Sequence, residues 1–156
     1  MDALSNVPYS TLSIGQQASS TRVVSRRDIQ LFALASGDWN PLHLDDDYAA
    51  TTHFGECIAH GMFTGALISA VLANQLPGPG TVYLEQALRF RAPVHIGDTL
   101  ETRVSVSEKR DRGQRVVLDC EVVNQDGKRV ATGTATVIAP TESLTVMPRS
   151  PDLDSP

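Results

Sequence analysis

Cysteine and aromatic residues are scarce in this chain of 156 residues. Its two cysteines, Cys57 and Cys120, are too few for a disulfide scaffold and lack the repeated spacing of a zinc module. This usage is typical of a reducing compartment, and we expect the cytoplasm. Aromatic residues make up only 5% of the chain, but hydrophobic residues reach 41% and charged residues 20%. The latter two fractions are near the globular averages, so they predict a folded domain with a real core.

The chain also has no excess of positive charge. Thirteen Lys and Arg against eighteen Asp and Glu give a formal net charge of -5. Because duplex nucleic acid is bound by dense positive charge, this balance argues against nucleic acid as a partner. The first residues show no basic segment leading into an apolar run, so we expect no secretory signal. The uncharged stretch from Cys57 to Leu84 is broken by Pro77 and Pro79, and its apolar part is shorter than the roughly 20 residues of a membrane span.

The predicted elements are one strand, several helices and then four more strands. The first strand is predicted over 17–24, and Ser25 is a predicted N-cap for a helix that ends at Gly37. A short helix is predicted over 45–51. Residues 61–76 are apolar on nearly every face, so the helix predicted there must be covered on most sides. The later strands, predicted as an antiparallel meander, are 81–91, 99–110, 114–124 and 128–139.

This order of elements predicts an α+β fold, in which one antiparallel sheet curls around a long apolar helix. The sheet and the helices are expected to form a single domain over residues 1–140. The final segment, 141–156, contains three prolines and few apolar residues, which favours a flexible tail.

The densest polar cluster contains Asp38, Asn40 and His43, in a turn whose backbone Pro41 restricts. A carboxyl group and a neutral imidazole around one water are sufficient to remove a proton at one atom and deliver it at another. The alternative is structural, because Asp and Asn side chains in turns often bind their own backbone and His43 would then be an ordinary loop histidine. The local sequence alone leaves both interpretations open.

A second candidate lies where residues 58–62, IAHGM, lead into the apolar helix. Gly61 permits close approach of a ligand to the backbone, and free N–H groups of a first helical turn can hold a developing oxyanion. The alternative is simple helix capping, with His60 packed or solvated. Ser69, inside the helix, either bonds its own helix or reaches a neighbouring acid. Histidines and acids are frequent between His43 and His60, but no recognised ligand spacing is present, so we expect no metal.

Several motifs together resemble the MaoC-like, (R)-specific enoyl-CoA hydratases, in particular the short single-domain enzymes linked to polyhydroxyalkanoate synthesis. The resemblance covers about residues 7–140. The segments that carry it are SGDWNPLH at 36–43, AATTxF at 49–54, IAHGM at 58–62, LPGPGTxYL at 76–84 and LxFxxPVxxGD at 88–98.

The resemblance implies a hot dog fold, usually a homodimer whose sheets join edge to edge. It also implies reversible syn hydration of a trans-2-enoyl-CoA to the (R)-3-hydroxyacyl-CoA, with no cofactor. By this resemblance Asp38 and His43 are the catalytic pair sharing one water, and Asn40 helps to hold the site. The Gly61 N–H would polarise the thioester carbonyl, and Ser69 would orient Asp38.

Further expectations concern the substrate. Leu72 and Val137 are predicted for the floor of an acyl pocket, and Arg89 and Arg91 for contacts with the CoA phosphates. Two other functions stay open: a hot dog acyl-CoA thioesterase, which would split the same thioester, and a non-catalytic acyl-CoA-binding module. Thioesterases of this fold generally lack the Asp-x-Asn-Pro-x-His turn, and a binding module would need no acid and histidine pair.

Overall fold

A five-stranded antiparallel sheet and a central helix form the body of the protein, which a computed structural model describes over residues 2–151. The strands are β1 (Leu4–Ser5), β2 (Gln17–Val23), β3 (Val82–Phe90), β4 (Thr99–Arg110), β5 (Arg115–Val123), β6 (Arg129–Ile138) and β7 (Thr145–Val146). The helices are α1 (Arg26–Ser36), α2 (Pro41–Leu44), α3 (Asp46–Ala50) and α4 (Gly61–Asn74).

The strand order in the larger sheet is β2-β4-β5-β6-β3, which corrects the prediction of a four-stranded meander. Strands β4, β5 and β6 do follow one another through tight turns. Strand β3 instead pairs with β6, with Leu88 opposite Gly133, and residues 91–98 then cross the sheet to reach β4. The crossing leaves β2 and β3 as the two edges of the sheet.

Helix α1 begins and ends where the sequence predicts. The Ser25 hydroxyl accepts from the Asp28 N–H while the Asp28 carboxylate accepts from the Ser25 N–H, which is a capping box. Gly37 ends the helix at a φ of 75°, in the left-handed region that favours glycine. Helix α2 was not predicted. Pro41 begins it instead of only restricting a turn, because the first position of a helix needs no N–H donor.

Helix α4 packs across β2, β4 and β5, and its inner side is part of the core. The fully buried residues that meet there include Ile68, Val71, Leu72, Val104 and Leu118. The α+β prediction of a sheet around an apolar helix is confirmed. The expected cover is incomplete, however, because Met62, Ala66, Ala70 and Ala73 lie on an exposed side of α4. Along residues 2–151 no helix combines the length and the apolar character that crossing a membrane requires.

Part of the predicted flexible tail is tied down. Strand β7 pairs with β1, and the Leu144 N–H donates to Asn6 Oδ1 at 2.8 Å. The Asn6 amide also donates to the Glu142 carbonyl at 3.1 Å. The prediction therefore does not hold for residues 142–146, because the composition of the tail says nothing of a partner strand at the other end of the chain. Residues 152–156 of the predicted tail lie outside the described residues.

Candidate active site

The polar turn predicted at residues 38–43 is held between α1 and α3. Arg26, at the start of α1, forms an ion pair of 2.7 Å with Asp46, at the start of α3. Within the turn, Asp38 Oδ1 accepts from the Asn40 N–H at 3.2 Å, and Asn40 Oδ1 accepts from the Leu42 N–H at 3.1 Å. Asn40 thus caps α2 and fixes the direction in which that short helix leaves the turn. Asp38 and Asn40 therefore do bind the backbone of their own turn, as the structural interpretation expected, and these contacts fix the shape of the turn.

His43 is turned inward from α2 and is only 9% exposed. Its Nδ1 lies 2.7 Å from the carbonyl oxygen of Ile58. Because a carbonyl can only accept, Nδ1 must carry the proton, and the neutral ring then has a free lone pair on Nε2. This backbone contact prepares His43 to accept a proton at Nε2.

His60 belongs to the same cluster. The sequence did not decide whether this residue packs in the structure or takes part in the function. Its ring is 2% exposed and lies with its centroid 4.0 Å from that of His43. His60 Nε2 donates to the Asp38 carbonyl at 3.2 Å, while its buried Nδ1 has no partner among the described residues. Burial lowers the pKa of His60, and the neighbouring His43 acts in the same direction. A neutral His60 therefore holds the backbone of Asp38 against the start of α4.

One carboxylate oxygen of Asp38, one ring nitrogen of His43 and one ring nitrogen of His60 all lie within 4.8 Å of one another. Two groups that each bind one water oxygen at about 2.8 Å can stand up to about 5 Å apart, so the cluster has the dimensions to share a water. Within residues 2–151 this is also the one group of acidic, histidine or cysteine side chains that is close enough to hold a metal ion. The expectation of no metal stays a prediction.

A cavity of about 350 Å³, here called the histidine cavity, opens beside this cluster. It is lined by His43, His60, Gly61, Phe90 and Arg91, among others. A Cβ built on Gly61 would lie 3.2 Å from the Phe90 ring, so a glycine lets that ring pack on the start of α4. Across residues 2–151, no hydrogen-bond acceptor is found for the Gly61 N–H. Another cavity, of about 480 Å³, lies over β4, β5 and β6 and is lined by none of these residues.

Ser69 is not brought to Asp38. It lies about two turns after Gly61 along α4, and the predicted contact with Asp38 is not formed. Ser69 instead lines a second cavity of about 330 Å³, here called the helix cleft. The helix cleft is lined by Phe32, Met62, Gly65, Ala66, Ser69, Tyr83 and Gln86.

The residues predicted for substrate contacts fall into two groups. Leu72 and Val137 are 1% and 0% exposed, and neither lines the histidine cavity or the helix cleft. Leu72 follows Ser69 by one helical turn, and Val137 pairs with Tyr83, so each is a near neighbour of a residue that lines the helix cleft. Arg89 and Arg91 both line a groove of about 400 Å³ at the edge of the sheet, and Arg91 also reaches the histidine cavity.

A five-stranded antiparallel sheet around one helix, with an acid and histidine site where that helix begins, defines a protein of the hot dog fold. The MaoC like domain model matches residues 11–139, and the chain belongs to that family.

Named relatives of similar length are similar over most of the chain. The (R)-specific enoyl-CoA hydratase of Rhodospirillum rubrum is 46% identical over 136 residues, which are 85% of this chain and 91% of that protein. The unliganded R-hydratase PhaJ1 of Pseudomonas aeruginosa has a TM-score of 0.93 at 50% identity and covers 99% of both chains. The (R)-hydratase of Aeromonas caviae involved in PHA biosynthesis has a TM-score of 0.81 at 39% identity, covering 83% of this chain and 98% of that one.

Proposed function

We propose that this protein is an (R)-specific enoyl-CoA hydratase that adds water reversibly to a trans-2-enoyl-CoA and yields the (R)-3-hydroxyacyl-CoA. The observation that carries the proposal is the cluster of Asp38, His43 and His60 beside the free N–H of Gly61. Similarity to the hydratases of Rhodospirillum rubrum and Aeromonas caviae supports the same reaction. By analogy with the latter, we propose that fatty-acid oxidation supplies the enoyl-CoA substrate and that the product feeds polyhydroxyalkanoate synthesis.

In the proposed mechanism, the Gly61 N–H binds the thioester carbonyl and makes C3 of the enoyl group electrophilic. His43 Nε2 takes a proton from the shared water, whose oxygen attacks C3. The proton passes from His43 to the Asp38 carboxylate, which delivers it to C2 of the resulting enolate. Both groups return to their starting states, so no redox cofactor is required. Both additions come from the side of one acid and histidine pair, which gives syn addition.

The substrate contacts belong to the same proposal. Arg91 lies in the wall of the histidine cavity and Arg89 follows the same strand edge, so both are placed to bind CoA phosphates. Asn40 supports the reaction by fixing the turn that carries the catalytic pair. Both cysteines are buried and unpaired, in keeping with a reducing cytoplasm.

We further propose that the working form is a homodimer joined through strand β3. That strand is an edge of the sheet, and its exposed apolar side chains include Val82, Leu84 and Phe90. An exposed apolar edge is a template for pairing with another strand. The exposed side of α4, which one chain leaves uncovered, lies next to this edge and would be covered in the same contact.

The test is the hydration of crotonyl-CoA. The loss of the enoyl-thioester ultraviolet absorbance measures the rate, and the chirality of the product is determined separately. We expect the (R)-alcohol from the wild type and a loss of about 10²–10⁴-fold in kcat for Asp38→Asn and for His43→Gln. The matched controls, Asp47→Asn and His53→Gln, change exposed residues outside the cluster and should retain activity.

Two other outcomes would replace the proposal. Release of free CoA thiol without hydration would indicate a thioesterase. Binding of acyl-CoA with the double bond left intact would indicate a non-catalytic binding module.

A further inference from the structure

The Ile58 carbonyl keeps the proton of His43 on Nδ1, so the position of Ile58 matters for this ring. Ile58 lies opposite His95 in an isolated antiparallel bridge. Beside the bridge, the Ala59 N–H donates to the Val94 carbonyl at 2.8 Å. A single bridge offers few contacts, so the place of the Ile58 carbonyl depends on how Val94 and His95 are held.

His95 is in turn held by the side chain of Asp98, whose Oδ2 accepts from the His95 N–H at 2.8 Å. The backbone of Asp98 is fixed independently. Its carbonyl accepts from the Val24 N–H at 2.8 Å, and the Gly97 N–H donates to the Val24 carbonyl at 2.8 Å. The Asp98 carboxylate therefore connects a fixed point just after β2 to the bridge that contains Ile58.

Asp98 is oriented by Gln125, which lies in the turn between β5 and β6. Gln125 Nε2 donates to Asp98 Oδ1 at 2.8 Å, and Gln125 Oε1 accepts from the Thr99 N–H at 3.0 Å. Because a carboxylate only accepts and a backbone N–H only donates, both ends of the amide are matched in one orientation. Asp98 is 8% exposed, and each of its oxygens accepts from an N–H, as a buried carboxylate requires.

From these contacts we propose that Asp98 and Gln125 are positioning residues for His43. They act through the bridge of His95 with Ile58. If the Ile58 carbonyl moves away, nothing keeps the His43 proton on Nδ1, and a ring with its proton on Nε2 has no lone pair there to accept one from water. The effect on rate rests on the proposed hydratase function, whereas the proton position in the ring can be measured without it.

The experiment exchanges donor and acceptor between the two residues. Asp98→Asn brings a second amide N–H₂ group against Gln125, and Gln125→Glu brings a second carboxylate against Asp98. Each single change therefore leaves like groups facing each other. The double variant keeps the net charge and restores the match, because the introduced amide can donate to the introduced carboxylate, which still accepts from the Thr99 N–H.

Each single variant is expected to lose about tenfold to a hundredfold in kcat on crotonyl-CoA, the scale on which a displaced catalytic group costs rate. The double variant should return to within about threefold of the wild-type kcat. Nitrogen NMR of the imidazole rings at about pH 8, where they are neutral, reports the tautomer of His43. We expect the proton on Nδ1 in the wild type and the double variant, and a mixture of both tautomers in the single variants. The His43→Gln spectrum assigns the signals.

Asp126→Asn is the matched control, because Asp126 is exposed in the same turn and the hydrogen bond to Asp98 comes from Gln125. It should keep the wild-type kcat and tautomer. Gln125→Ala removes both amide contacts from an exposed position and should lower kcat in the same direction, so the test stands even if Asp98→Asn does not fold.

Urea denaturation of every variant measures stability separately. A purely structural role would lower the stability of the single variants and leave the kcat of the folded enzyme and the His43 tautomer unchanged, and this result would overturn the proposal. A double variant that stays as slow as the single variants would overturn it as well. A wild type that fails to hydrate crotonyl-CoA would overturn the proposed function instead, and the tautomers would then decide the positioning role alone.

Discussion

Two backbone carbonyls decide the state of the histidines in the site. The Ile58 carbonyl fixes the proton of His43 on Nδ1, and the Asp38 carbonyl takes the Nε2 proton of His60. The ring centroids lie 4.0 Å apart, and the neighbouring His43 adds to the burial that lowers the pKa of His60. The Nε2 lone pair of His43 is then the one that accepts a proton in the proposed mechanism.

The lowered pKa of His60 predicts a dependence of stability on pH. Since its folded pKa lies below the ordinary value of about 6.5, the unfolded chain binds more protons between the two values. The contribution of His60 is fully present above about pH 6.5 and is lost as the pH falls from there towards the lowered pKa. We expect the free energy of unfolding to decrease over this window, by at most about 1.4 kcal/mol per pH unit from this group.

Chemical denaturation between pH 5 and pH 8 measures this effect. His60→Gln removes the titrating ring and should flatten the slope, whatever it does to the overall stability. His53→Gln removes an exposed histidine and should leave the slope as in the wild type. An unchanged slope in His60→Gln would show that another group governs the acid sensitivity.

The sequence predicted the residue types of the proposed catalytic cluster but not their arrangement. Asp38, Asn40 and His43 are close in the chain, so their turn was visible as a local pattern. His60 reaches them only because the fold brings the start of α4 against the turn, and its contact with Asp38 is made to a backbone oxygen. Because every residue has a backbone oxygen, such a contact cannot be predicted from residue types. The sequence therefore could not decide between a packing role and a functional role for His60.

At the scale of elements, local sequence signals were sufficient to predict where helices and strands begin and end, but they were insufficient to predict which strands pair. The capping box at Ser25 and the alternation over 99–110 predicted α1 and β4 within a residue of their observed bounds. The position of β3 beside β6 depends on a crossing by residues 91–98, whose Gly97 and Asp98 are typical of a tight turn and so favoured a meander. Helix α2 was missed because Pro41 is compatible with a turn and with the first position of a helix.

The pairing of β3 with β6 is sensitive to any side chain added at Gly133. A Cβ at this position would lie 1.9 Å from the Ala87 carbonyl oxygen, a backbone atom that cannot move without disturbing the ladder. We expect Gly133→Ala to push β3 away from β6 and to lower the free energy of unfolding by about 2–3 kcal/mol. Urea denaturation monitored by circular dichroism measures the loss.

Thr134→Ala is the control for this substitution, since Thr134 is the next residue of β6 and its side chain is exposed. It should change stability by less than about 0.5 kcal/mol. Equal stability of the Gly133→Ala variant and the wild type would mean that the sheet has room for a methyl group there.

For the whole molecule, the exposed edge at β3 makes the oligomeric state a direct measurement. We expect sedimentation or light scattering to give twice the 16.8 kDa mass of one chain. Leu84→Lys places a charge on the exposed edge strand and should shift the population to monomer and lower activity with it.

Leu34→Lys makes the same change on the outer side of α1, where Leu34 is also exposed, and should leave the mass and the activity unchanged. A wild-type chain that sediments as a monomer, or a Leu84→Lys variant that stays dimeric, would contradict the proposed edge contact.

The short ladder between β1 and β7 has a consequence for the order of events in time. Its hydroxyl contact between Ser5 and Thr145, at 2.8 Å, joins positions 140 residues apart. Closing so long a loop costs more chain entropy than closing a hairpin. Only two residue pairs of the ladder offset this cost. The ladder is therefore expected to form after the sheet is complete and to open before it, so that its amide hydrogens exchange with solvent earlier than those of β4 and β5.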